Sequence, residues 1–489
     1  MIIFEFEPVW TYVRGANIPH QLFKNKLRYF YKGAQFAKAY TNKKWDGYKY
    51  LWYNTKAYTR FPTGLWYLVK EVLEQYNIEY KGIRKFDFPE KEFMWEFQNG
   101  ITPYPDQLKA IEAAYQYKRG IIEYPTGTGK TAVISAGIIA KFGVPSLFMV
   151  HQDVLLHQAK KDIEEALGVE VGLIGDGLMD IKPITCATIQ TMYRRIGEPN
   201  ILRYLGEYVK LVIVDECQNI GTTMWKEVMY KCNAPYRFPI SATARREDGA
   251  TLEIHAVGGR TIAKMTPQEA IEKGYLADVE IEFVPFDHML YNERDKHLNY
   301  NMVYDAQIIN NHTRNTLIVD ESVKLLNEGR HIIVLVTRID HGKILKEMFK
   351  AKGVNDVEFI WGDTGSDIRE DIIEKYRRGE FRVLIGSTIF DVGVDMPIAS
   401  GLVCAGAGAS SIRVPQRVGR VIRRFGKDKK AKVIDIADKN VKFFTKQYRD
   451  RYKIYCEEFG KDAIKFREVE KKPEYKGPFE YMNEIMKHL

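Results

Sequence analysis

Two stretches of this sequence hold residue types whose order and spacing suit phosphate chemistry. The first is Tyr124-Pro-Thr-Gly-Thr-Gly-Lys-Thr131, set between the strand-like Gly120-Ile-Ile-Glu123 and the helix-compatible run AVISAGIIA. A glycine-rich turn between strand and helix lets consecutive backbone N–H groups and a helix N-terminus converge on phosphate oxygens. Gly127 and Gly129 permit the curl, Thr126 and Thr128 sit beside them, Lys130 brings a mobile charge for the β- and γ-phosphates, and the Thr131 hydroxyl can complete a Mg²⁺ shell. Tyr124 stands where the strict phosphate-loop pattern has glycine. The second stretch is Leu211-Val-Ile-Val-Asp215-Glu216-Cys217-Gln218, in which four apolar residues predict a buried central strand and two acids emerge at its carboxyl end. Open α/β sheets bind ligands at that end. Asp215 is placed to hold Mg²⁺ and Glu216 to polarise an attacking water. An acidic pair after a strand is by itself no more than loop solvation; the glycine-rich loop upstream is what gives it a task.

The elements that must position these residues read as two α/β domains in series. From 97 to 275 apolar runs such as SLFMV and LVIVD alternate with amphipathic stretches, the rhythm of a parallel sheet with helices on both faces. The rhythm returns over 307–440 with HIIVLVT, FRVLIGS and KVIDIAD. Residues 276–306 are expected to join the two, and 441–489 to form a charged helical tail. Residues 1–96 differ: the first 60 hold sixteen Phe, Trp or Tyr and eleven Lys or Arg against three acids. This predicts a small N-terminal α+β domain with a basic face that engages nucleic acid, with Lys43, Lys44 and Lys49 as the exposed cations flanking a turn at Asp46-Gly47. Most of the aromatics must build that domain's own core, as the alternation in Tyr48-Lys-Tyr-Leu-Trp-Tyr53 indicates.

Bulk properties limit the classes. The chain has 489 residues, 45% hydrophobic and 28% charged, as in folded globular proteins, and a formal net charge of +9 that permits a polyanionic partner without demanding one. No apolar run reaches membrane-helix length and MIIFEFEPVW lacks a signal-peptide pattern, so no membrane role is expected and an intracellular, cytoplasmic setting is. Five scattered cysteines support neither a disulfide framework nor a zinc site.

The ordered set of motifs from Tyr104 to Arg424 resembles the superfamily 2 helicases. Tyr104-Pro-Asp-Gln107 looks like the adenine-reading segment, with Gln107 as base contact. Ser241-Ala-Thr243 matches the motif coupling hydrolysis to domain movement. Gly386-Ser-Thr388 with Asp391-Val-Gly393-Val-Asp395 matches one touching nucleotide and polynucleotide backbone, and Gln416-Arg417-Val-Gly419-Arg420-Val-Ile-Arg423 matches the arginine-finger motif. The resemblance implies two tandem RecA-like domains, ATP and Mg²⁺ as cofactors, Arg420 and Arg423 as cations for the γ-phosphate, and nucleotide contacts from Gly393, Asp395 and Gln416. Thr188, Gln190, Thr337, Arg338, Ser387 and Thr388 follow predicted strands and are expected to touch a DNA backbone. Arg246-Glu247-Asp248, Trp45-Asp-Gly47 and Phe61-Pro-Thr-Gly-Leu65 are similar to elements of the XPB-type and phage UvsW branch-migration group, whose setting for a phage-encoded member is the host cytoplasm. That group usually has His where this chain has Gln218; Gln can still hydrogen-bond toward Ser241 and Thr243 and so act as a coupler. The expected function is a DNA helicase remodelling branched or duplex DNA, or acting from single strands. A duplex translocase and a DNA-binding scaffold with a decayed motor are the alternatives. The residues do not separate DNA from RNA as the track, and name no protein partner.

Overall fold

A computed structural model describes residues 1–246, 248–288, 299–362, 364–387, 396, 398–406, 418–419 and 430–468. The chain forms two compact units, one built on Met1–Leu276 and one beginning at Ala277.

In the first unit, apolar runs with no polar face become strands covered on both sides. Ser146–Val150, Ile184–Thr188 and Leu211–Val214 are buried at every position. The sheet runs in the order Leu178–Asp180, Gly172–Gly175, Ile184–Thr188, Ser146–Val150, Leu211–Val214, Tyr236–Ser241, Ile121–Glu123, Thr261–Lys264. Every neighbouring pair is parallel except Leu178–Asp180 against Gly172–Gly175. Parallel pairing forces each connection back across a face, so all the loops that follow the strands gather at one end.

Residues 1–96 make a sheet of their own in the order Tyr53–Asn54, Thr59–Pro62, Trp10–Arg14, Ile2–Phe6, Tyr80–Arg84, and a two-stranded ribbon of Arg28–Phe30 with Tyr48–Tyr50. Phe4, Phe23 and Phe61 are fully buried there, and Trp52 stacks on Phe23 and Phe61. This core is shared with the phosphate-loop domain: Ala250 and Ala256 belong to it. Gly64 passes so close to the helix Thr251–Gly258 that a Cβ would stand 2.3 Å from the His255 carbonyl oxygen. Tyr29 donates to the buried Glu253 carboxylate at 2.9 Å, which Lys226 also pairs at 3.3 Å. The segment after the small sheet lies along the same domain, with Glu92 and Phe93 N–H donating to the Gly143 carbonyl and Gln98 N–H to that of Ala166. The region read as a separate domain is thus one body with its neighbour.

The second unit is a seven-stranded, all-parallel sheet in the order Val357–Ile360, Val383–Gly386, His331–Leu335, Ala399–Cys404, Ala431–Lys439, Val279–Asp287, Ile464–Phe466. Two of its strands lie outside the span 307–440 read as this domain. Val279–Asp287, placed in the expected linker, pairs with Ala431–Lys439 along its whole length. Its Glu280 pairs with Lys465 and its Glu282 with Arg467. The expected helical tail contains the helix Lys442–Phe459, whose Arg451 grips Asp435, and then the edge strand Ile464–Phe466.

Candidate nucleotide site and nucleic-acid contacts

Ile121–Glu123 lies inside the first sheet, so the loop after it starts from a fixed point. Gly127 (φ +90°) and Gly129 (φ +74°) take left-handed conformations, and a Cβ on Gly129 would stand 2.7 Å from Gln107 Nε2. Backbone geometry therefore calls for glycine at both positions. Tyr124 points into the core, 4% exposed, its hydroxyl donating to the Asp106 carbonyl at 2.8 Å and its N–H to that of Ser241 at 3.0 Å. Burial, with Asp106 nearby, pushes its phenol up to about 12. The departure from the strict pattern thus fills a structural slot and leaves the phosphate-facing residues in place.

Gln107, expected to read a base, donates through Nε2 to the Thr128 carbonyl at 2.8 Å and accepts through Oε1 from Tyr104 N–H at 2.7 Å. In this arrangement its amide braces the loop. Thr128 turns inward and donates to the Pro125 carbonyl at 2.8 Å. Tyr104 is half exposed and stacks on Tyr275, centroids 4.7 Å apart and planes 18° off parallel. Tyr275 and Lys273 both hold Asp106, at 2.9 and 3.0 Å. Buried enough to disfavour its charge, Asp106 is still kept below the usual carboxylate range by these donors and Lys109. Nothing in the sequence marked Tyr275 or Lys273, which are remote in the chain from the loop they support.

Thr126, Gly127, Gly129, Lys130, Thr131, Asp215 and Glu216 line one cleft of about 300 Å³ with Gln158 and Asp162 from the helix Asp153–Leu167. Lys130 Nζ lies 3.1 Å from the Pro125 carbonyl oxygen at the loop's mouth. Asp215 follows the buried strand Leu211–Val214 and accepts from Glu216 N–H at 2.9 Å. Burial, then the Glu216 charge, push the Asp215 carboxyl up to about 7, Lys130 opposing. A carboxylate so disfavoured beside a second acid is chemistry that a divalent cation relieves, so Asp215 and Thr131 fit the expected Mg²⁺. Glu216 has φ +50°, a conformation rare for a residue with a side chain. Gln218 Nε2 donates to the Glu216 carboxylate at 2.7 Å, Ser241 Oγ donates to Gln218 Oε1 at 2.6 Å, and Thr243 N–H donates to Ser241 Oγ at 3.1 Å. Arg246 extends the chain, donating to the Gln218 carbonyl at 2.5 Å and bidentately to Asp248 at 3.0 and 2.6 Å.

The proposed backbone contacts separate into groups. Thr188 is 1% exposed and donates to Thr191 at 3.1 Å, so its hydroxyl serves the start of the next helix and has no surface to offer a polynucleotide. Gln190 is exposed and donates to the His151 carbonyl at 2.6 Å. In the second unit Thr337, Arg338 and Ser387 converge on one open cleft of about 920 Å³, where Arg338 donates to Asn301 at 2.8 Å and Thr337 meets the Tyr304 hydroxyl. Lys43, Lys44 and Lys49 are exposed, Lys49 lying 4.4 Å from the centre of the Tyr31 ring. Thr388, Asp391, Gly393, Asp395, Gln416, Arg417, Arg420, Arg423 and Glu247 lie outside the described residues.

Residues 100–246 match the family model described as type III restriction enzyme, res subunit, and residues 315–425 the helicase conserved C-terminal domain. The chain belongs to the superfamily 2 helicases. Within this superfamily it is 28% identical over 407 residues to the DNA 3'-5' translocase XPB2 of Sulfurisphaera tokodaii, covering 74% of this chain and 89% of that one. A solved fragment of a putative HsdR subunit of a type I restriction enzyme from Vibrio vulnificus shares the RecA-like fold, at 18% identity, 82% and 73% coverage and a TM-score of 0.55. The UvsW structure from phage T4 aligns over 96% of this chain and 99% of its own at 18% identity with a TM-score of 0.45. As a superfamily 2 helicase the chain is an ATP hydrolase, and the reading of a decayed scaffold falls away. No helix among the described residues is long and apolar enough to cross a membrane.

Proposed function

We propose that this superfamily 2 helicase uses ATP hydrolysis to move on DNA and to remodel branched or duplex DNA, as in branch migration or the processing of forks and recombination intermediates. The observation that carries the motor is the continuous hydrogen-bonded path from Glu216 through Gln218 to Ser241 and Thr243, rooted in the cleft that holds Lys130 and Asp215. Glu216 orients the attacking water. Lys130 and the loop N–H groups hold the phosphates where charge develops. Mg²⁺, held by Asp215 and Thr131, supplies charge neutralisation at the phosphate oxygens. Because Gln218 binds both the Glu216 carboxylate and Ser241, a change in that carboxylate on hydrolysis moves the Ser241–Thr243 segment, which is how chemistry becomes motion. DNA as the track is supported by the relatives, among them the XPB2 translocase, and by the exposed cations Lys43, Lys44 and Lys49. Thr337, Arg338 and Ser387 line the cleft that takes the phosphodiester backbone in the second unit.

The same relative is described as a translocase, which favours tracking along a duplex without strand separation as a second reading. Strand displacement on a fork, run beside displacement of a third strand from a triplex, separates the two. Remodelling requires activity in both; tracking alone yields only triplex displacement.

A further inference from the structure

The N-terminal ribbon leads into a segment unlike the rest of the small domain. Residues 32–44 follow the strand Arg28–Phe30, with Gly33 at a φ of +117°. They then form the short turns Ala34–Phe36 and Lys38–Thr41. At the apex Phe36 is 85% exposed, the highest value among the large hydrophobic side chains described. Hydrophobic burial argues against leaving a phenyl ring so exposed in a domain that packs Phe4, Phe23 and Phe61 completely. Lys32, Lys38, Lys43 and Lys44 flank it in the chain, all exposed, and none pairs with an acid among the described residues. Between 24 and 49 there are eight Lys or Arg and one acid, Asp46. An aromatic ring presented amid unpaired cations is complementary to one chemistry in particular, an unstacked base flanked by phosphates.

The base of this segment is fixed. Lys32 N–H donates to the Asp248 carbonyl at 3.1 Å, and Asp248 is the partner of Arg246, which holds Gln218. Gly249 sits where a Cβ would stand 2.5 Å from the Phe30 carbonyl oxygen, so the two chains touch at backbone distance. Force on the apex is therefore borne by the domain that hydrolyses ATP.

We propose that residues 32–44 form a prong that enters a nucleic-acid junction, the Phe36 ring stacking on the first unpaired base while Lys32, Lys38, Lys43 and Lys44 hold the adjoining phosphates. This rests on the reading of the chain as a DNA motor and adds to it the place where strands part. Stacking on a base is tolerant of sequence, as a motor requires, and a ring fixed to the motor domain blocks re-pairing behind each step.

The test uses the full chain and a forked duplex with 2-aminopurine at the first unpaired position. The wild type should quench or shift the probe's fluorescence on binding; Phe36→Ala should lose that change, and Phe36→Trp should retain it. Fork unwinding by Phe36→Ala should fall several-fold while ATPase activity at saturating single strands stays within about twofold of wild type. The prong is overturned if Phe36→Ala gives the wild-type fluorescence change and unwinding rate, or loses ATPase and unwinding in proportion. It is equally overturned if Phe36→Ala only converts a wild-type dimer into a monomer. Absence of nucleic-acid-stimulated ATPase in the wild type would instead defeat the underlying motor reading.

Discussion

The first unit sets two acids just after a buried parallel strand and the second sets two within one, and the two units treat them in opposite ways. In the first, Asp215 and Glu216 open into a cleft and Asp215 is pushed up to about 7 by burial and by its neighbour. In the second, Asp438 is fully buried, and Arg314 holds it bidentately at 2.7 and 3.0 Å while His288 meets it at 3.0 Å. Burial there opposes the charge, but Arg314 and His288 win and keep the Asp438 carboxyl down to about 2. Asp435 is likewise held by Arg451 and Tyr455. Two acids that face a cleft beside Lys130 suit phosphate chemistry, whereas acids inside a strand and gripped by buried cations serve stability. An acid after a strand is thus informative only once its partners are known.

Removing the cation on the functional side should have the largest effect. Lys130→Ala should abolish ATP turnover while leaving DNA binding in place, measured by steady-state hydrolysis beside an equilibrium binding titration. On the structural side, Arg314→Ala leaves buried Asp438 with His288 but without its bidentate cation, and should lower the unfolding free energy of the second unit by about 3–5 kcal/mol in denaturant melts. The pH dependence of the two acids has opposite sign. Because the folded value of Asp438 lies below its ordinary 3.8, its stabilisation of about 2 kcal/mol is complete above roughly pH 5 and fades as the pH falls toward 2. Asp215, raised in the folded state, instead destabilises the protein as the pH rises from 4 toward about 7. Asp215→Asn should therefore raise the melting temperature at neutral pH in the absence of Mg²⁺ by a stabilisation of roughly 1 kcal/mol, while eliminating Mg²⁺-dependent turnover. The smallest and most selective effect is expected from Gln218→Ala: measurable ATPase activity, but fewer base pairs separated per ATP, read from coupled hydrolysis and unwinding assays. Equal losses in both would show that Gln218 is not a coupler.

Much of the nucleotide site was legible in the sequence because its chemistry is local. Gly127, Gly129, Lys130 and Thr131 are neighbours, and Asp215, Glu216 and Gln218 follow one strand, so spacing alone groups them. Ser241 and Thr243 were readable as a motif; the hydrogen bond from Ser241 to Gln218 follows from parallel strands ending on one edge of the sheet. What the sequence hid was non-local. Tyr275, Lys273 and the bracing role of Gln107 depend on contacts between remote segments. The burial of Thr188 depends on how helix and strand pack, which a strand-end position does not disclose. The strand Val279–Asp287 fell in the expected linker because its neighbours in the sheet, Ala431–Lys439 and Ile464–Phe466, are remote in the chain. The sharing of a core between the N-terminal sheet and the helix Thr251–Gly258 was equally invisible, since composition marks a boundary where packing does not.

The most direct measurement is ATP hydrolysis by the wild type and Glu216→Gln against single-stranded, duplex, forked and four-way DNA, with RNA counterparts. A DNA motor of this kind should be stimulated by DNA, branched forms most strongly, and its Glu216→Gln variant should lose about 10²–10⁴-fold in turnover while still binding nucleotide and DNA. A wild type indifferent to every polynucleotide, or a Glu216→Gln variant that hydrolyses ATP at the wild-type rate, would contradict it.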